Sequence, residues 1–408
     1  MTLLDANSDT LKYEMQDESR PTARVKVVGV GGGGSNAVAH MMACGLNDVD
    51  FYILNTDVQA LRSSPVPNKL AIGCKVTHGR GSGADPEVGR QAALEDTERI
   101  CEILQGADLV FVTAGMGSGT GTGAAPVVAS MAKEMNALTV AVVTTPFAFE
   151  GARRIRQAEQ GLEKLAENVD TVITVPNERL LALAPRGTSI LEAFRMGHDF
   201  LRQTVQDLVE IVTTPGFINR DFSDVRSTLF GMGHAVLGTA TARGEGAVVE
   251  AAKQAISCPL IDQSGIRGAR NVLMNVTGSS RLGLHEVNDA CLMIRQASEY
   301  PDVQLNFGLV LNESMADSVK VTVIATGFAV RAAGFMETVE TESAPAAAEG
   351  VWLSEAPPAP VPPIIVEPEP EPAPIEAKAT NGTPPIPEPE DFDDLDTPAY
   401  LRQRRTLH

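Results

Sequence analysis

Short apolar runs alternate with amphipathic stretches through the first 180 residues. The runs are rich in β-branched residues and predict strands at 25–30, 50–54, 109–113, 139–144 and 171–175. Helical patterns lie between them, at 37–44, 85–106, 124–136 and 151–168. Asp85-Pro86 opens one of these helices, with Asp as the N-cap and Pro at the first helical position. Strands that alternate with helices indicate a parallel α/β sheet.

The pattern changes after a long amphipathic helix. A capping box at Ser189–Glu192 begins this helix, and Thr213-Thr214-Pro215-Gly216 ends it. Four further strands follow, at 235–241, 271–277, 304–311 and 319–326, with helices at 246–257 and 284–299. This half of the chain therefore predicts a second α/β domain with a smaller mixed sheet.

Beyond about residue 333 the composition no longer supports a core. Residues 345–389 contain 14 of the 26 prolines, and residues 337–396 contain 15 acidic residues against a single lysine. Such a segment cannot bury enough apolar surface to offset the entropy lost on ordering. We therefore divide the chain into a flexible arm (1–23), a first domain (24–188), the central helix (189–213), a loop with a following helix (214–227), a C-terminal domain (228–332), a disordered acidic linker (333–390) and a terminal peptide (391–408).

Charge and cysteine usage restrict the partners and the compartment. The net charge of −19 argues against binding nucleic acid, which needs a basic face. The five cysteines are scattered without a CxxC spacing, so we expect neither a disulfide framework nor a zinc site, and a reducing cytosol fits best. We find no apolar signal core and no run near the roughly 20 residues that span a bilayer. We expect a cytoplasmic protein without direct membrane insertion.

The first glycine loop, Gly31–Asn36, follows a strand and opens a helix. Such a loop can cradle a phosphate, because glycines let the backbone approach an anion and helix N-terminal N–H groups point at it. Alone it is ambiguous. Gly29, Gly31 and Gly34 satisfy G-x-G-x-x-G, and Asp57 lies about where a ribose-binding acid would sit in a dinucleotide-dependent oxidoreductase. A tight turn without a ligand is the third interpretation.

The second glycine loop favours a nucleotide with several phosphates. Gly115–Gly123 contains five glycines at alternate positions, again between a strand and a helix. The sequence offers no structural reason for this alternation, whereas two anion-cradling loops on one sheet could hold several phosphates from two sides. No G-x-x-x-x-G-K-S/T occurs in the chain, which excludes the Walker-type nucleotide folds.

A third segment carries two carboxylates. Asp221 and Asp224 flank Phe222 just after the long helix, within Asn219–Asp224. Carboxylates can orient an attacking water or hold the hydration shell of Mg²⁺. A solvated loop with an Asx turn explains the spacing equally well.

Together these segments resemble the FtsZ family, with its relative tubulin, across residues 24–330. The signature G-G-G-T-G-S/T-G appears at Gly117–Gly123, with Ser118 replacing one glycine, and the family's N-x-D-x-x-D loop is intact at 219–224. Segments 55–57, 75–86, 146–151 and 175–179 also match, and 396–402 resembles the family's adaptor-binding peptide D-x-P-x-F/Y-L-R. Ser35, His78 and Arg220 depart from the usual residues.

The resemblance implies a tubulin-like two-domain α/β fold: a parallel-sheet GTP-binding domain, a long central helix, a smaller mixed-sheet C-terminal domain and a disordered tail. It implies hydrolysis of GTP to GDP and phosphate in an active site shared between subunits of a head-to-tail homopolymer. Mg²⁺ would be held mainly by the GTP phosphates, with no residue firmly assigned to it. The filaments would form the bacterial division ring at mid-cell, on the inner face of the membrane, and 391–408 would bind membrane-anchoring and regulatory division proteins.

The same resemblance assigns individual roles. Catalysis falls to Asp221 and Asp224, with Asn219 reaching the nucleotide. Glu150 and Arg154 would contact the ribose side. The remaining nucleotide contacts would come from Gly32, Gly33, Gly34, Ser35, Asn36, Asn55, Asp57, Gly83, Ala84, Gly117, Ser118, Gly119, Thr120, Gly121, Thr122, Gly123, Phe194 and Asp199.

Two of these residues would face the base. Phe194 could stack on guanine, and the Asp199 carboxylate could accept two N–H bonds from its edge, although it would repel the ring nitrogen of adenine. Two rival functions stay open at this point. One is the oxidoreductase, supported by the first loop alone. The other is a polymer-forming scaffold that binds GTP but barely hydrolyses it.

Overall fold

The computed structural model describes residues 23–185, 187–214, 222–258 and 265–328. All of these residues belong to one compact unit. The predictions for the N-terminal arm, for Asn219, Arg220 and Asp221, for the acidic linker and for the terminal peptide fall outside these ranges.

Within the described residues, ten strands form one continuous sheet in the order β3-β2-β1-β4-β5-β6-β7-β10-β8-β9. The strands are β1 (Val25–Val30), β2 (Asp50–Asn55), β3 (Asn68–Ala71), β4 (Leu109–Gly115), β5 (Leu138–Thr145), β6 (Thr171–Pro176), β7 (Gly233–Arg243), β8 (Asn271–Gly278), β9 (Gln304–Leu311) and β10 (Ser318–Thr326). Neighbours from β3 to β7 are parallel, β10 is antiparallel to β7 and β8, and β9 is parallel to β8.

Helices connect these strands along the chain. They are α1 (Gly31–Ala43), α2 (Val58–Ser63), α3 (Cys74–Thr77), α4 (Pro86–Glu95), α5 (Thr97–Leu104), α6 (Thr120–Glu134), α7 (Ala152–Asn168), α8 (Asn177–Leu183), α9 (Ile190–Thr213), α10 (Phe222–Leu229), α11 (Ala247–Ile256) and α12 (Leu284–Ser298). None of the helices in the described ranges is both long and apolar enough to cross a membrane.

The fold class implied by the resemblance is confirmed, with a parallel half and a mixed half. The mixed half continues the parallel sheet: β6 and β7 pair over Thr171–Ile173 and Gly233–Ala235. The long helix α9 is also confirmed, and the Ser189 hydroxyl accepts from the N–H of Glu192 as its capping box requires. The single helix expected over 85–106 is instead two helices, α4 and α5, which meet at Asp96.

The parallel half is buried on both faces, which explains its β-branched runs. Val25 and Val27 of β1 pack into one core with α1 and α9, whereas Val28 and Val30 pack into a second core with α5 and α6. A strand covered on both faces needs apolar residues at every position, so its sequence shows a continuous apolar run. A third core lies under α11 and α12 in the mixed half.

Candidate functional site

A cleft opens at the carboxyl ends of the central parallel strands. Because β1, β4 and β5 run in the same direction side by side, the segments that follow them meet at one edge of the sheet. The cleft is lined by Gly33, Gly115, Met116, Ser118, Thr144, Thr145, Pro146, Glu150, Arg154, Asn177, Phe194, Gly197 and His198. Ligands of open α/β sheets bind at such edges.

The first glycine loop is the first turn of α1. The helix begins at Gly31, no side chain caps its N-terminus, and its first turn carries no acidic residue. Gly32 and Gly33 are exposed, as is Asn36, while Gly34 and Ser35 are buried. An uncapped helix N-terminus offers free N–H groups and a positive dipole end, so this turn can receive an anion.

The second glycine loop forms the N-terminus of α6, which also lacks a side-chain cap and an acidic residue in its first turn. The buried Thr120 hydroxyl contacts the Thr56 hydroxyl at 2.7 Å and the Ser82 hydroxyl at 3.1 Å. The Ser118 hydroxyl donates to the Gly115 carbonyl at 2.9 Å. Three segments far apart in sequence are thereby tied together beside the cleft.

The alternating glycines also have a structural reason, which the sequence did not reveal. A Cβ on Gly119 would lie 2.2 Å from the Ser82 Oγ, and one on Gly123 would lie 1.8 Å from the Pro86 carbonyl oxygen. Only glycine permits such close approach of α6 to α4 and to the loop before it. Packing accounts for Gly123 without any ligand, since its surroundings are the backbone of α4.

Four other predicted nucleotide contacts lie near this loop. Asp57 caps α2, because its carboxylate accepts from the N–H groups of Gln59 at 2.8 Å and Ala60 at 3.2 Å. Asn55 is buried and accepts from the N–H of Asp57 at 3.3 Å. Gly83 and Ala84 both have left-handed backbone, with φ of 62° and 60°, in the turn that precedes Asp85.

The predicted ribose side is preorganised by an ion pair. Arg154 Nη1 lies 2.6 Å from Glu150 Oε2, and Glu150 Oε1 accepts from the N–H of Phe147 at 2.9 Å. Phe147 is fully buried and meets Phe194 edge to face, with the ring centroids 5.3 Å apart. Phe194 is thus held at the cleft by a buried ring rather than left to swing freely.

Asp199 follows the cleft-lining Gly197 and His198 on α9. Its carboxylate accepts from Arg202 Nε at 2.8 Å and lies 3.5 Å from His40 Nε2. Partial burial raises the pKa of the Asp199 carboxyl, but Arg202 and then His40 outweigh this effect, so the pKa lies below its ordinary value. Asp199 is therefore an anion at neutral pH. Burial, with a smaller contribution from His40, lowers the pKa of the neighbouring His198.

Asp224 lies at the opposite edge of the sheet from the glycine loops. It sits in the first turn of α10, whose Arg226 donates to the carbonyl of Asn136, just before β5 begins. Thr171, the first residue of β6, donates through its hydroxyl to the carbonyl of Leu229 at the end of α10. The cleft lies beyond the other ends of these strands. α9, which runs from the cleft towards α10, has 24 residues and is about 36 Å long.

Several cleft residues were missed by the sequence analysis. Thr144 and Thr145 end β5, Asn177 begins α8 directly after β6, and His198 lies on α9. The signal for the first three was available, because polar residues at the carboxyl end of a parallel strand face the ligand edge of the sheet. His198 carried no such signal.

The oxygen atoms near the cleft that could contribute to metal binding belong to separate hydroxyl groups. In the described part of the chain, no three His, Cys, Asp or Glu residues cluster so that they could hold a metal ion. Hydroxyls of Thr56, Ser82 and Thr120 converge there, and the buried Ser35 hydroxyl makes no hydrogen bond within that part of the chain. Hard oxygen donors suit Mg²⁺, which commonly keeps several waters and binds substrate phosphates.

Two family models match the chain. The model described as the tubulin/FtsZ family GTPase domain matches residues 24–185, and the model of the FtsZ family C-terminal domain matches residues 233–329. The first therefore covers the glycine loops and Glu150–Arg154, and the second covers the mixed half of the sheet.

Solved structures of FtsZ proteins are also similar to this chain. An empty FtsZ dimer from M. jannaschii is 36% identical, with a TM-score of 0.68 over 76% of this chain and 89% of its own. A mutant FtsZ from M. jannaschii is 37% identical, with a TM-score of 0.69 over 75% and 92%. The GTPγS-bound protofilament of CetZ2 from Haloferax volcanii is 24% identical, with a TM-score of 0.65 over 74% and 92%, and shows the shared fold alone.

Proposed function

The chain belongs to the FtsZ family of tubulin-like GTPases, and from this premise we propose that it hydrolyses GTP at the contact between successive subunits of a head-to-tail polymer. Hydrolysis of GTP follows from the family. The sharing of the site between subunits is our inference. One observation carries it: the glycine loops and Asp224 lie at opposite edges of the sheet.

We infer that the two uncapped helix N-termini bind the phosphates. Gly32 and Gly33 would present N–H groups from the first turn of α1, and Gly117–Thr120 would present them from the loop that leads into α6. The dipoles of both helices favour negative charge at these ends. Gly34 contributes by packing α1 closely against β1 and β4, and Gly123 by packing α6 against α4. Gly121 lets α6 approach Gly115 and the end of β1, and Thr120 ties the second loop to Thr56 and Ser82.

The base and sugar would lie between the loops and α9. Phe194 offers a ring face whose orientation is fixed by Phe147, and the anionic Asp199 can accept N–H bonds from the guanine edge. The Glu150–Arg154 pair would hold the sugar hydroxyls from the far side of the cleft. Because adenine would present a ring nitrogen to the Asp199 carboxylate, this arrangement selects guanine nucleotides.

Mg²⁺ would enter with the nucleotide and would be held mainly by the phosphates. The hydroxyls of Thr120 and Ser35 would contact its water ligands. When bound, it neutralises negative charge on the phosphate oxygens during transfer. The carboxylates beside the loops have other roles, since Asp57 and Asp85 cap helices and Glu150 pairs with Arg154.

The attacking water would be oriented by a neighbouring subunit. Asp224, together with Asp221 and Asn219, which lie outside the described residues, would reach the γ-phosphate of the next subunit in the filament. A contact between two different faces of identical subunits does not close, so it generates a linear polymer. The FtsZ relative of 36% identity forms a dimer, which supports self-association of this chain.

The proposal extends to a role in the cell. We propose that the polymer forms the bacterial division ring at mid-cell and that residues 391–408 dock to membrane-anchoring and regulatory proteins. Leu395, Tyr400 and Leu401 would supply apolar anchors, and Arg402 would supply charge. A short segment that orders on binding is a recurring mode of recognition. Imaging a fluorescent fusion in dividing cells, with and without 391–408, tests this role.

The shared site is tested by dilution. The rate of GTP hydrolysis per subunit should vanish below an assembly threshold and rise steeply above it, in step with the polymer mass that sediments. A rate per subunit that stays constant down to nanomolar protein would show that one subunit is sufficient. Polymer that forms with GTP and releases no phosphate would instead support the non-catalytic scaffold.

A further inference from the structure

The short helix that carries Asp224 is held by side chains from both halves of the sheet. At its last turn, the Thr171 hydroxyl donates to the Leu229 carbonyl, and the Thr326 hydroxyl donates to the Thr228 carbonyl at 3.0 Å. Asn306 Nδ2 donates to the Thr228 hydroxyl at 3.0 Å. Thr171 belongs to β6 in the parallel half, whereas Asn306 and Thr326 belong to β9 and β10 in the mixed half.

These contacts are buried and directional. Thr171 and Thr326 are fully buried, and Thr228 is almost so. The last carbonyls of a helix have no partner within the helix, and here strand side chains supply the donors. Three hydrogen bonds from two sides restrict both the tilt and the rotation of α10.

We propose that Thr171, Thr326 and Asn306 are positioning residues for hydrolysis, which orient α10 and thereby aim Asp224 at the nucleotide of the neighbouring subunit. This inference rests on the proposed function, because it assumes that Asp224 acts across the subunit contact. None of the three residues touches the nucleotide of its own subunit, since all lie at the edge of the sheet away from the cleft.

The geometry makes a small error in α10 costly. Asp224 precedes Thr228 by four residues, or about 6 Å along the helix axis. A tilt of about 10° around the last turn therefore displaces the carboxylate by about 1 Å, a misplacement that can slow a reaction about 100-fold. GTP binds in the cleft at the other edge of the sheet, and the polymer contact involves much more of the subunit than the Asp224 side chain, so both should tolerate this displacement.

The test compares hydroxyl removal at Thr171 and Thr326 with a matched change at Thr322. Thr322 lies on the same strand as Thr326, four residues earlier, is equally buried, and accepts from the Thr239 hydroxyl at 3.2 Å. Thr171→Val and Thr326→Val should each lower turnover at saturating GTP about tenfold or more, within the range that misplacement allows. GTP affinity and sedimented polymer should change less than about twofold, and Thr322→Val should keep the wild-type rate.

Conservative variants separate positioning from mere stability. Thr171→Ser and Thr326→Ser keep the hydroxyl and should restore turnover, although they lose a buried methyl group. Asn306→Ala, at a half-buried site, removes the third hydrogen bond and should slow turnover severalfold even if the valine variants fold poorly.

The inference is overturned if the valine variants turn over at the wild-type rate, if Thr322→Val is equally slow, or if serine fails to restore activity. Loss of GTP affinity in parallel with turnover would also overturn it. Failure of the proposed function looks different, because wild-type protein would then hydrolyse GTP at the same rate per subunit at every dilution.

Discussion

Two variants that are each inactive should recover GTP hydrolysis when they are mixed. Gly32→Glu damages the cleft and leaves α10 intact, whereas Asp224→Ala removes the carboxylate and leaves the cleft intact. If the site is shared, the cleft of an Asp224→Ala subunit can meet the α10 of a Gly32→Glu subunit. If each subunit carried a complete site, no mixture of the two could hydrolyse GTP.

The structure makes Gly32 a suitable position for this change. It is exposed in the first turn of α1, and a Cβ there would meet no heavy atom within 4 Å. A glutamate therefore enters without displacing the protein, yet it places a negative charge at the phosphate site. Two like charges about 4 Å apart repel by about 1 kcal/mol in bulk water and about 4 kcal/mol near a protein surface, so GTP affinity should fall about fivefold to roughly a thousandfold.

The size of the recovery follows from counting interfaces. In an equal mixture with random order along the filament, about one interface in four pairs an intact cleft with an intact α10. Phosphate release per subunit should therefore approach about a quarter of the wild-type rate. It should depend on the mixing ratio with a maximum at equal amounts.

The assay is phosphate release at fixed total protein across mixing ratios. Sedimentation of each variant with wild-type polymer establishes that both enter filaments, and Gly32→Ala is the uncharged control for the cleft. If both variants co-sediment and every mixture stays at the background rate, Asp224 does not act on a neighbour's nucleotide.

Three further predictions concern single changes. Asp224→Ala should bind GTP normally yet hydrolyse it about 100-fold more slowly, because a group that positions water or transfers a proton is lost. Its polymers should persist longer when followed by light scattering, and weakened GTP binding would contradict the role assigned to Asp224. Lys320 Nζ lies 2.7 Å from the buried Asp207 and 2.9 Å from Glu210, so Lys320→Met should lower the free energy of unfolding by about 3–5 kcal/mol at pH 8. Burial raises the pKa of Asp207, and without Lys320 this carboxyl takes up a proton more readily. In urea titrations the loss of unfolding free energy caused by Lys320→Met should therefore be smaller at pH 5 than at pH 8, and equal losses at the two pH values would refute this account. Deleting 391–408 should leave the GTPase rate and polymer mass unchanged and abolish binding to the membrane adaptor in co-sedimentation with vesicles. If the shortened protein still sediments with adaptor-bearing vesicles, residues 391–408 are not the docking segment.

The sequence by itself determined the elements with strong local signals. The strands of the parallel half were predictable because burial on both faces demands continuous β-branched runs. The start of α9 was predictable from the Ser189 capping box, and that of α4 from Asp85-Pro86. The glycine loops predicted a phosphate site and led to the family, because close approach of the backbone to an anion requires glycine at specific positions.

Short strands and helices could not be predicted in this way. β3 has four residues and α3 has four, too few for a hydrophobic period to show. The sequence also placed the starts of α1 and α6 several residues late, because glycine is a poor helix former and the first helical turns here consist of glycine-rich sequence. The helices form because tertiary packing outweighs that local preference.

Only the tertiary structure decided how distant segments meet and which ones do not. Thr56, Ser82 and Thr120 share hydrogen bonds although they come from three segments far apart in the sequence, and the buried Phe147 ring packs edge to face on Phe194. The same sheet places Asp224 at the edge away from the glycine loops. Parallel pairing gathers the carboxyl ends of strands on one side and their amino ends on the other. The distance between the glycine loops and Asp224 is therefore set by strand length and direction in the folded sheet, which no local pattern of residues records.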